Sequence, residues 1–234
     1  MFRKLAFGAM VAMGSVALAA PDAKDDVTAA AKKLADASNY SWKQTTETGQ
    51  FNTSQEGKTE KNGFTTINLV FGDNTIQTAM KGTKSAVKLE DGWKSAEELG
   101  ADQQGPGRFI GAMMANFKAP GSQAEEYVAK LKEVKKDGDT YVANLSGADA
   151  AALAPRRGRR GGGGNAQPPA MQNAKVELKM WVKDGVLTKY TSHVTGTMTV
   201  NGEGRDIDAT TTTEISDVGS TKVELPDEAK KKLE

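Results

Sequence analysis

Residues 175–218, KVELKMWVKDGVLTKYTSHVTGTMTVNGEGRDIDATTTTEISDV, decide the fold. Apolar and polar residues alternate along three runs of this stretch, which is the period of a strand with one dry face and one wet face. Asp184-Gly185 and Asn201-Gly202 separate the runs. Such pairs favour type I′ hairpin turns, because both central residues of that turn need a positive φ. The stretch therefore predicts three long antiparallel strands.

The middle strand is long enough to curl its sheet. It runs from Val186 to about Val200, and at about 3.3 Å per residue it spans about 50 Å. A strand of this length twists, and Gly196 in its middle predicts a bulge or bend. A curled antiparallel sheet has a concave face, and an apolar concave face needs a cover or a ligand.

The chain upstream supplies more strands and the helices that cover the sheet. Alternating runs at residues 39–48, 64–71, 75–81 and 85–90, with turn signals between them, predict an antiparallel frame and not βαβ units. We expect residues 51–57, which are polar, to form a loop. Helical spacing predicts helices over residues 25–37, 108–117 and 122–131, the last beginning with a capping box of Ser122 and Glu125. The fold class is α+β, mainly antiparallel β.

The first 20 residues have the pattern of a secretory signal peptide. Arg3 and Lys4 precede an apolar stretch of small residues that ends in an A-x-A cleavage pattern. Removing it leaves a single domain at residues 21–234 and changes the formal net charge from +1 to −1. A nearly neutral chain offers no global field for nucleic acid. The chain has no cysteine, so neither disulfides nor a lipid-modified cysteine are expected. We expect no stable membrane span in the mature chain.

Residues 155–170 are rich in arginine, glycine and proline and predict a flexible loop within that domain. Such a loop can solubilise the chain or contact anionic headgroups by charge attraction. RNA is an improbable partner for an exported protein.

The strongest candidate site is an apolar helical stripe at residues 108–117. It has two interpretations, a core helix or a lid over the mouth of the curled sheet. Methionine favours the lid, because its side chain adapts to varied apolar partners. The three tryptophans are further candidates, although tryptophan fills cores more often than it binds ligands. We take as ligand-binding candidates Trp42, Trp93, Phe109, Ile110, Met113, Met114, Phe117 and Trp181.

Catalytic and metal sites are weakly indicated. His193 lies on a Thr/Lys strand face, and no sequence motif supplies the base and orienting acid of a nucleophilic triad. Glu203, Asp206 and Asp208 cluster near a turn, but their spacing does not match an EF-hand loop. We expect no catalytic residue, no metal and no cofactor.

The order of elements resembles the bacterial lipoprotein carriers (LolA/LolB-like). The resemblance is most specific at two places. Residues 181–187, WVKDGVL, are similar to a "W-x-x-x-D-G" hairpin but have one residue fewer between Trp181 and Asp184, and residues 214–219, EISDVG, match a late "S-D-x-G" strand end. It implies a curled half-barrel sheet whose concave face is covered by helices, and a hydrophobic cavity for acyl chains. The Arg/Gly run departs from that layout.

We therefore predict a monomeric, non-enzymatic carrier or sensor of the periplasm that binds a lipid or an acyl chain, with an envelope protein as a second kind of partner. The alternative is an envelope structural or protein-interaction module whose groove is filled by its own side chains. The two differ in whether the helix at residues 108–117 covers an apolar cavity or a packed core.

Overall fold

A computed structural model describes residues 22–49, 52–72, 74–101, 106–153, 171–200 and 203–234. The predicted signal peptide, the loop at residues 155–170 and the Asn201-Gly202 turn lie outside these residues. None of the described helices combines the length and apolarity that crossing a membrane requires.

Within the described residues, eleven strands form one antiparallel sheet. They are β1 (Asn39–Thr48), β2 (Asn52–Glu60), β3 (Phe64–Phe71), β4 (Asn74–Lys81), β5 (Lys84–Leu89), β6 (Gly92–Ser95), β7 (Lys135–Asp137), β8 (Thr140–Ser146), β9 (Met171–Lys183), β10 (Val186–Val200) and β11 (Glu203–Ser216). The order across the sheet is β6-β5-β4-β3-β2-β1-β11-β10-β9-β8-β7. The sheet is open, with β6 and β7 at its edges, which confirms the predicted fold class and half-barrel.

Six helices lie among the described residues: α1 (Ala23–Ala35), α2 (Ala96–Ala101), α3 (Pro106–Ala115), α4 (Pro120–Lys130), α5 (Gly147–Leu153) and α6 (Asp227–Lys231). Helices α1 to α5 contribute to the main core, which they share with the concave face of the sheet. The short α6 belongs to a second, smaller core.

The hairpin between β9 and β10 has the predicted turn. Asp184 has φ 54° and Gly185 has φ 70°, the two positive values that a type I′ turn requires. The register between β9 and β10 also shifts beside Gly196, where Asn173 and Ala174 lie opposite this one residue. This is the bulge predicted from the glycine in the long strand.

The expected loop at residues 51–57 was wrong, because residues 52–60 form β2. This strand, NTSQEGKTE, has almost no apolar residue and therefore carries no strand periodicity. It forms because β1 and β3 pair with it on both sides and satisfy its backbone hydrogen bonds. Pairing across the sheet decides its conformation.

The expected capping box was also misplaced. Helix α4 begins at Pro120, two residues before Ser122, and has no side-chain cap. The reciprocal pair occurs at α2 instead, where Ser95 Oγ accepts from the Glu98 N–H (3.2 Å) and Glu98 Oε2 accepts from the Ser95 N–H (2.6 Å). Proline at the first helical position made a start at Pro120 favourable.

Candidate ligand site on the concave face

The concave face has two halves that are covered in different ways. Helices α1 and α4 cover β8 to β11 and the start of β1, and several hydrogen bonds join these helices to the sheet; we call this the hydrogen-bonded half. Helices α2 and α3 cover β3 to β5, where apolar side chains meet; we call this the apolar half.

In the hydrogen-bonded half, α1 is fixed to the sheet at two points. The Tyr141 hydroxyl of β8 donates to Asp26 Oδ2 (3.0 Å), and the Lys33 ammonium donates to the carbonyl of Asp184 in the β9–β10 turn (3.0 Å). Between these points Val27 and Ala31 are fully buried. Directional bonds and burial together fix the position of α1.

Two buried tyrosines of the sheet hold the beginning of α4. The Gly121 N–H donates to the Tyr40 hydroxyl (3.0 Å), and the Tyr190 hydroxyl lies 2.8 Å from Gln123 Oε1 and 3.1 Å from the Pro120 carbonyl. Burial raises the pKa of Tyr190 well above its usual value and raises the pKa of Tyr40 as well. Both phenols therefore stay neutral and serve as hydrogen-bonding groups.

Side-chain amides continue this network along the concave face. Gln44 Nε2 donates to Gln123 Oε1 (3.3 Å) and to Thr213 Oγ1 (3.0 Å), and Gln55 Nε2 donates to Gln44 Oε1. The polar groups thus satisfy one another, which removes the cost of burying them. We interpret the network as an anchor for α4.

Among the described residues, the apolar half shows no comparable network. The described side chains of α3 are apolar, and those of Ile110, Met113 and Met114 meet an apolar surface of sheet and α2. The residues of this half are Ile67 and Leu69 of β3, Ile76 and Met80 of β4, Val87 and Leu89 of β5, Leu99 of α2, Ile110, Met113 and Met114 of α3, and Phe117 after it. The described side chains of α3 therefore hold the helix by non-directional contacts.

Trp42 of β1 lies at the boundary of the two halves. Its indole N–H donates to Thr59 Oγ1 (3.1 Å), and the Phe117 ring stacks on it with 5.7 Å between ring centroids and an angle of 26°. Gly57 of β2 lies directly against the indole, because a Cβ there would come 2.5 Å from Cζ2. Trp42 thus touches both the sheet and the segment that follows α3.

Five of the eight candidate residues come together in the main core. Ile110, Met114 and Trp42 are buried, whereas Met113 and Phe117 are partly buried and pack against the same cluster. Phe109 lies within α3, and its side chain is outside the described part of the chain.

The other two tryptophans lie elsewhere, so the structure does not bring them to this group. Trp93 is buried on the convex face, in the second core, because the C-terminal residues cover that side of β4 to β6. Trp181 is half-buried on the convex face under the ammonium of Lys189, 5.5 Å from the ring centroid. The lysine explains how a tryptophan fits on a charged strand face.

The two tyrosines and the amides that hold α4 were not predicted as site residues. Tyr40 and Tyr190 follow the apolar alternation of their strands, but nothing local indicates a hydroxyl partner. The partner atoms are backbone groups of Pro120 and Gly121, which come from a distant segment. Ile67, Leu69 and Val87, by contrast, were recognisable from alternation alone.

The convex face carries Asp206, Asp208 and His193. His193 Nε2 lies 2.9 Å from Asp208 Oδ1, and Thr197 donates to Asp206 (3.0 Å). Among the described residues, no group of three or more His, Asp or Glu side chains is arranged to hold a metal ion. Two grooves on this face are lined largely by polar side chains.

Comparisons with known proteins show similar folds but no family. No protein family model matches the chain, and no curated protein matches it. Among solved structures, LprF from Mycobacterium bovis covers 88% of this chain and 97% of its own at 11% identity and a TM-score of 0.46. A DUF1329 family protein from Desulfovibrio piger covers 88% and 94% at 11% identity and a TM-score of 0.33. At TM-scores below 0.5 we base the function on the geometry of the concave face and not on these neighbours.

Proposed function

We propose that the protein is an exported, non-enzymatic carrier that binds an apolar chain, the acyl chain of a lipid or lipoprotein, between α3 and the apolar half of the concave face. One observation carries the proposal. The described side chains of α3 are apolar, and those of Ile110, Met113 and Met114 meet an equally apolar stretch of sheet. We place the carrier in the periplasm, as the N-terminal sequence indicates.

The contact between α3 and the sheet is of a kind that a hydrocarbon chain can replace. If α3 moved outward, its described side chains would lose no hydrogen bond. Each CH2 group of a ligand that is buried in their place contributes about 0.8 kcal/mol to the free energy of binding. Met80, Met113 and Met114 surround the contact, and methionine repacks easily around a new apolar partner. Moving α4 would instead break the bonds to Tyr40 and Tyr190.

Trp42 provides a local reporter for this site. Three variants that each keep one tryptophan, with phenylalanine at the other two positions, separate Trp42 from Trp93 and Trp181. We expect a brominated fatty acid to quench the fluorescence of the protein that keeps Trp42, because Phe117 and Trp42 would line the bound chain. The proteins that keep Trp93 or Trp181 are the matched controls, because both rings lie on the convex face.

Charge placed on α3 tests the same site from the other side. Met113→Asp adds a carboxylate to the partly buried face of the helix, and Ala115→Asp adds one at an exposed position of the same helix. We expect Met113→Asp to weaken fatty acid binding at least tenfold and Ala115→Asp to leave it within about twofold. In the experiment with the single-tryptophan proteins, equal quenching of all three tryptophans, or no quenching of any of them, would contradict the carrier.

A specific observation favours the second candidate, an envelope interaction module with a groove that its own side chains fill. Trp42 is 3% exposed, Ile110 2% and Met114 1%, so these side chains already occupy the space under α3. Native mass spectrometry after purification without detergent separates the two functions. A bound lipid mass supports the carrier, whereas a clean apo mass that ignores added fatty acids and phospholipids supports the module.

A further inference from the structure

The last 18 residues, 217–234, run across the convex side of the sheet; we call them the C-terminal strap. The hydroxyl oxygen of Thr221 in the strap lies 2.9 Å from the hydroxyl oxygen of Ser41 on β1. Farther along the strap, Glu228 Oε1 accepts from the Trp93 N–H of β6 (3.2 Å). The strap thus begins at the central strand β1 and reaches the open edge of the sheet at β6.

Apolar side chains hold the end of the strap in place. They form the second core with the convex side of β4 to β6, and this core consists of Leu225, Ala229 and Leu233 from the strap and Ala79, Ala86 and Trp93 from the sheet. Leu233 is 1% exposed and Ala229 fully buried. The end of the strap is therefore a docked element with its own core.

One side chain joins the strap to the helices on the concave side. Lys232 Nζ donates to Glu98 Oε1 at 2.5 Å. Glu98 is the residue whose other oxygen caps α2 through the Ser95 N–H. The bond from Lys232 lowers the pKa of Glu98, which keeps this carboxylate charged for both contacts.

Helix α2, which Lys232 contacts through Glu98, in turn contacts α3. The two helices pack on each other, and Leu99 of α2 is buried in the same core as Ile110 and Met114 of α3. The strap on the convex face and α3 on the concave face are therefore linked at the open edge through a single short helix.

We propose that the C-terminal strap is a latch that holds α2 and α3 closed over the apolar half, with the Lys232–Glu98 ion pair as its releasable contact. Helix α3 has no described directional bond of its own, so the restraint on α2 sets how readily the pair moves outward. The latch is a property of the ligand-free chain. Its effect on ligand release rests on the proposed function.

Hydrogen exchange on the ligand-free chain tests the latch without any ligand. Lys232→Glu reverses the charge opposite Glu98, and Lys231→Glu makes the same change at an exposed neighbour. We expect Lys232→Glu to speed amide exchange in α2 and α3 about two- to fivefold, the size that a surface ion pair gives. Exchange in α1 and α4 should not change, and Lys231→Glu should leave all four helices as they are.

Glu98→Gln removes the charge from the other partner, and glutamine still serves in a capping box. We expect it to reproduce the effect of Lys232→Glu on α2 and α3. Unchanged exchange in both variants, or equal acceleration across all helices, would overturn the latch.

A second readout measures dissociation of the brominated fatty acid from the protein that keeps only Trp42. We expect dissociation to be about two- to fivefold faster with Lys232→Glu. Faster exchange with unchanged dissociation would mean that the helices move without releasing the ligand, which contradicts the proposed ligand position under α3 and leaves the latch standing. Faster dissociation with unchanged exchange would contradict the latch alone.

Discussion

The two halves of the concave face differ in the kind of contact that holds their helices. In the hydrogen-bonded half, α4 begins on Tyr40 and Tyr190 and α1 ends against a backbone carbonyl of the β9–β10 turn. In the apolar half, α3 lies on methionine, isoleucine and leucine side chains. Directional bonds specify one arrangement, whereas apolar contacts tolerate several. One sheet therefore carries a fixed cover, α1 and α4, and an adaptable cover, α3.

The largest effect we expect comes from truncating a buried aliphatic side chain in each half. Leu34→Ala in α1 and Ile110→Ala in α3 remove side chains of the same size that are 0% and 2% exposed. Such changes cost about 2–5 kcal/mol, less where the site can collapse. By urea denaturation, we expect the loss of unfolding free energy to be near the upper end of this range for Leu34→Ala and near the lower end for Ile110→Ala. Equal costs would show that α3 is as fixed as α1.

Gly57→Ala should cause the next largest loss of stability, because it disturbs the boundary between the halves. A Cβ at this position would meet the Thr66 carbonyl and the Trp42 ring, and overpacking of this kind costs about 1–3 kcal/mol. We expect a lower urea midpoint and an altered Trp42 emission spectrum in the protein that keeps only that tryptophan. An unchanged spectrum would mean that Trp42 is not fixed by Gly57.

Tyr190→Phe tests the network of the hydrogen-bonded half. It removes the donor to Pro120 and Gln123 in a buried site, which should cost about 1–2 kcal/mol. Tyr141→Phe is the control, because its partner Asp26 is only partly buried and is rehydrated more easily. We expect the control to cost clearly less in the same denaturation experiment. The reverse order would contradict the anchoring role of Tyr190.

Gly111→Ala should stabilise the apolar half by a smaller amount. A Cβ at Gly111 meets nothing within 4 Å, and alanine in place of glycine inside a helix gains about 0.5–1 kcal/mol. We expect slower amide exchange in α3 and no change in α1. Destabilisation would show that the surface of α3 at Gly111 is covered.

The smallest effect we expect is the pH dependence at the end of α1. Hydrogen bonds from Lys61 and Lys32 lower the pKa of Asp36 from 3.8 to about 2. A lowered carboxyl pKa adds stability above the unfolded value of 3.8, and this stability is lost as the pH falls through about 2. Asp36→Asn should therefore be less stable than the parent chain at pH 7, and the difference should shrink as the pH falls from about 4 towards 2. A difference that stays the same over this range would contradict this cause.

Local sequence was informative for the strands that alternate and for the turns that need glycine. Alternation in β3, β5 and β9 to β11 and the Asp184-Gly185 turn were recognisable, because each has its signal within a few residues. Strand β2 was missed, because its conformation depends on its neighbours. The capping box was expected at Ser122 and occurs at Ser95, since the same four-residue pattern fits both sites and only the position of the helix distinguishes them.

The candidate site was predictable in part for a similar reason. The stripe at Ile110, Met113 and Met114 indicated a helix with an apolar face. What covers Trp93 and Trp181 was not predictable, because a strand pattern separates two faces without saying what lies on each. The C-terminal strap covers one of them and Lys189 the other.

By itself the sequence determined the class of fold, since period-two alternation and turn residues act over short distances. It also indicated which helix is apolar. Only the tertiary structure decided that β1 pairs with β11, that α4 is held by buried tyrosines and that the strap reaches α2. Those contacts join segments more than 60 residues apart, and their free energy exists only once the sheet has brought the partners together.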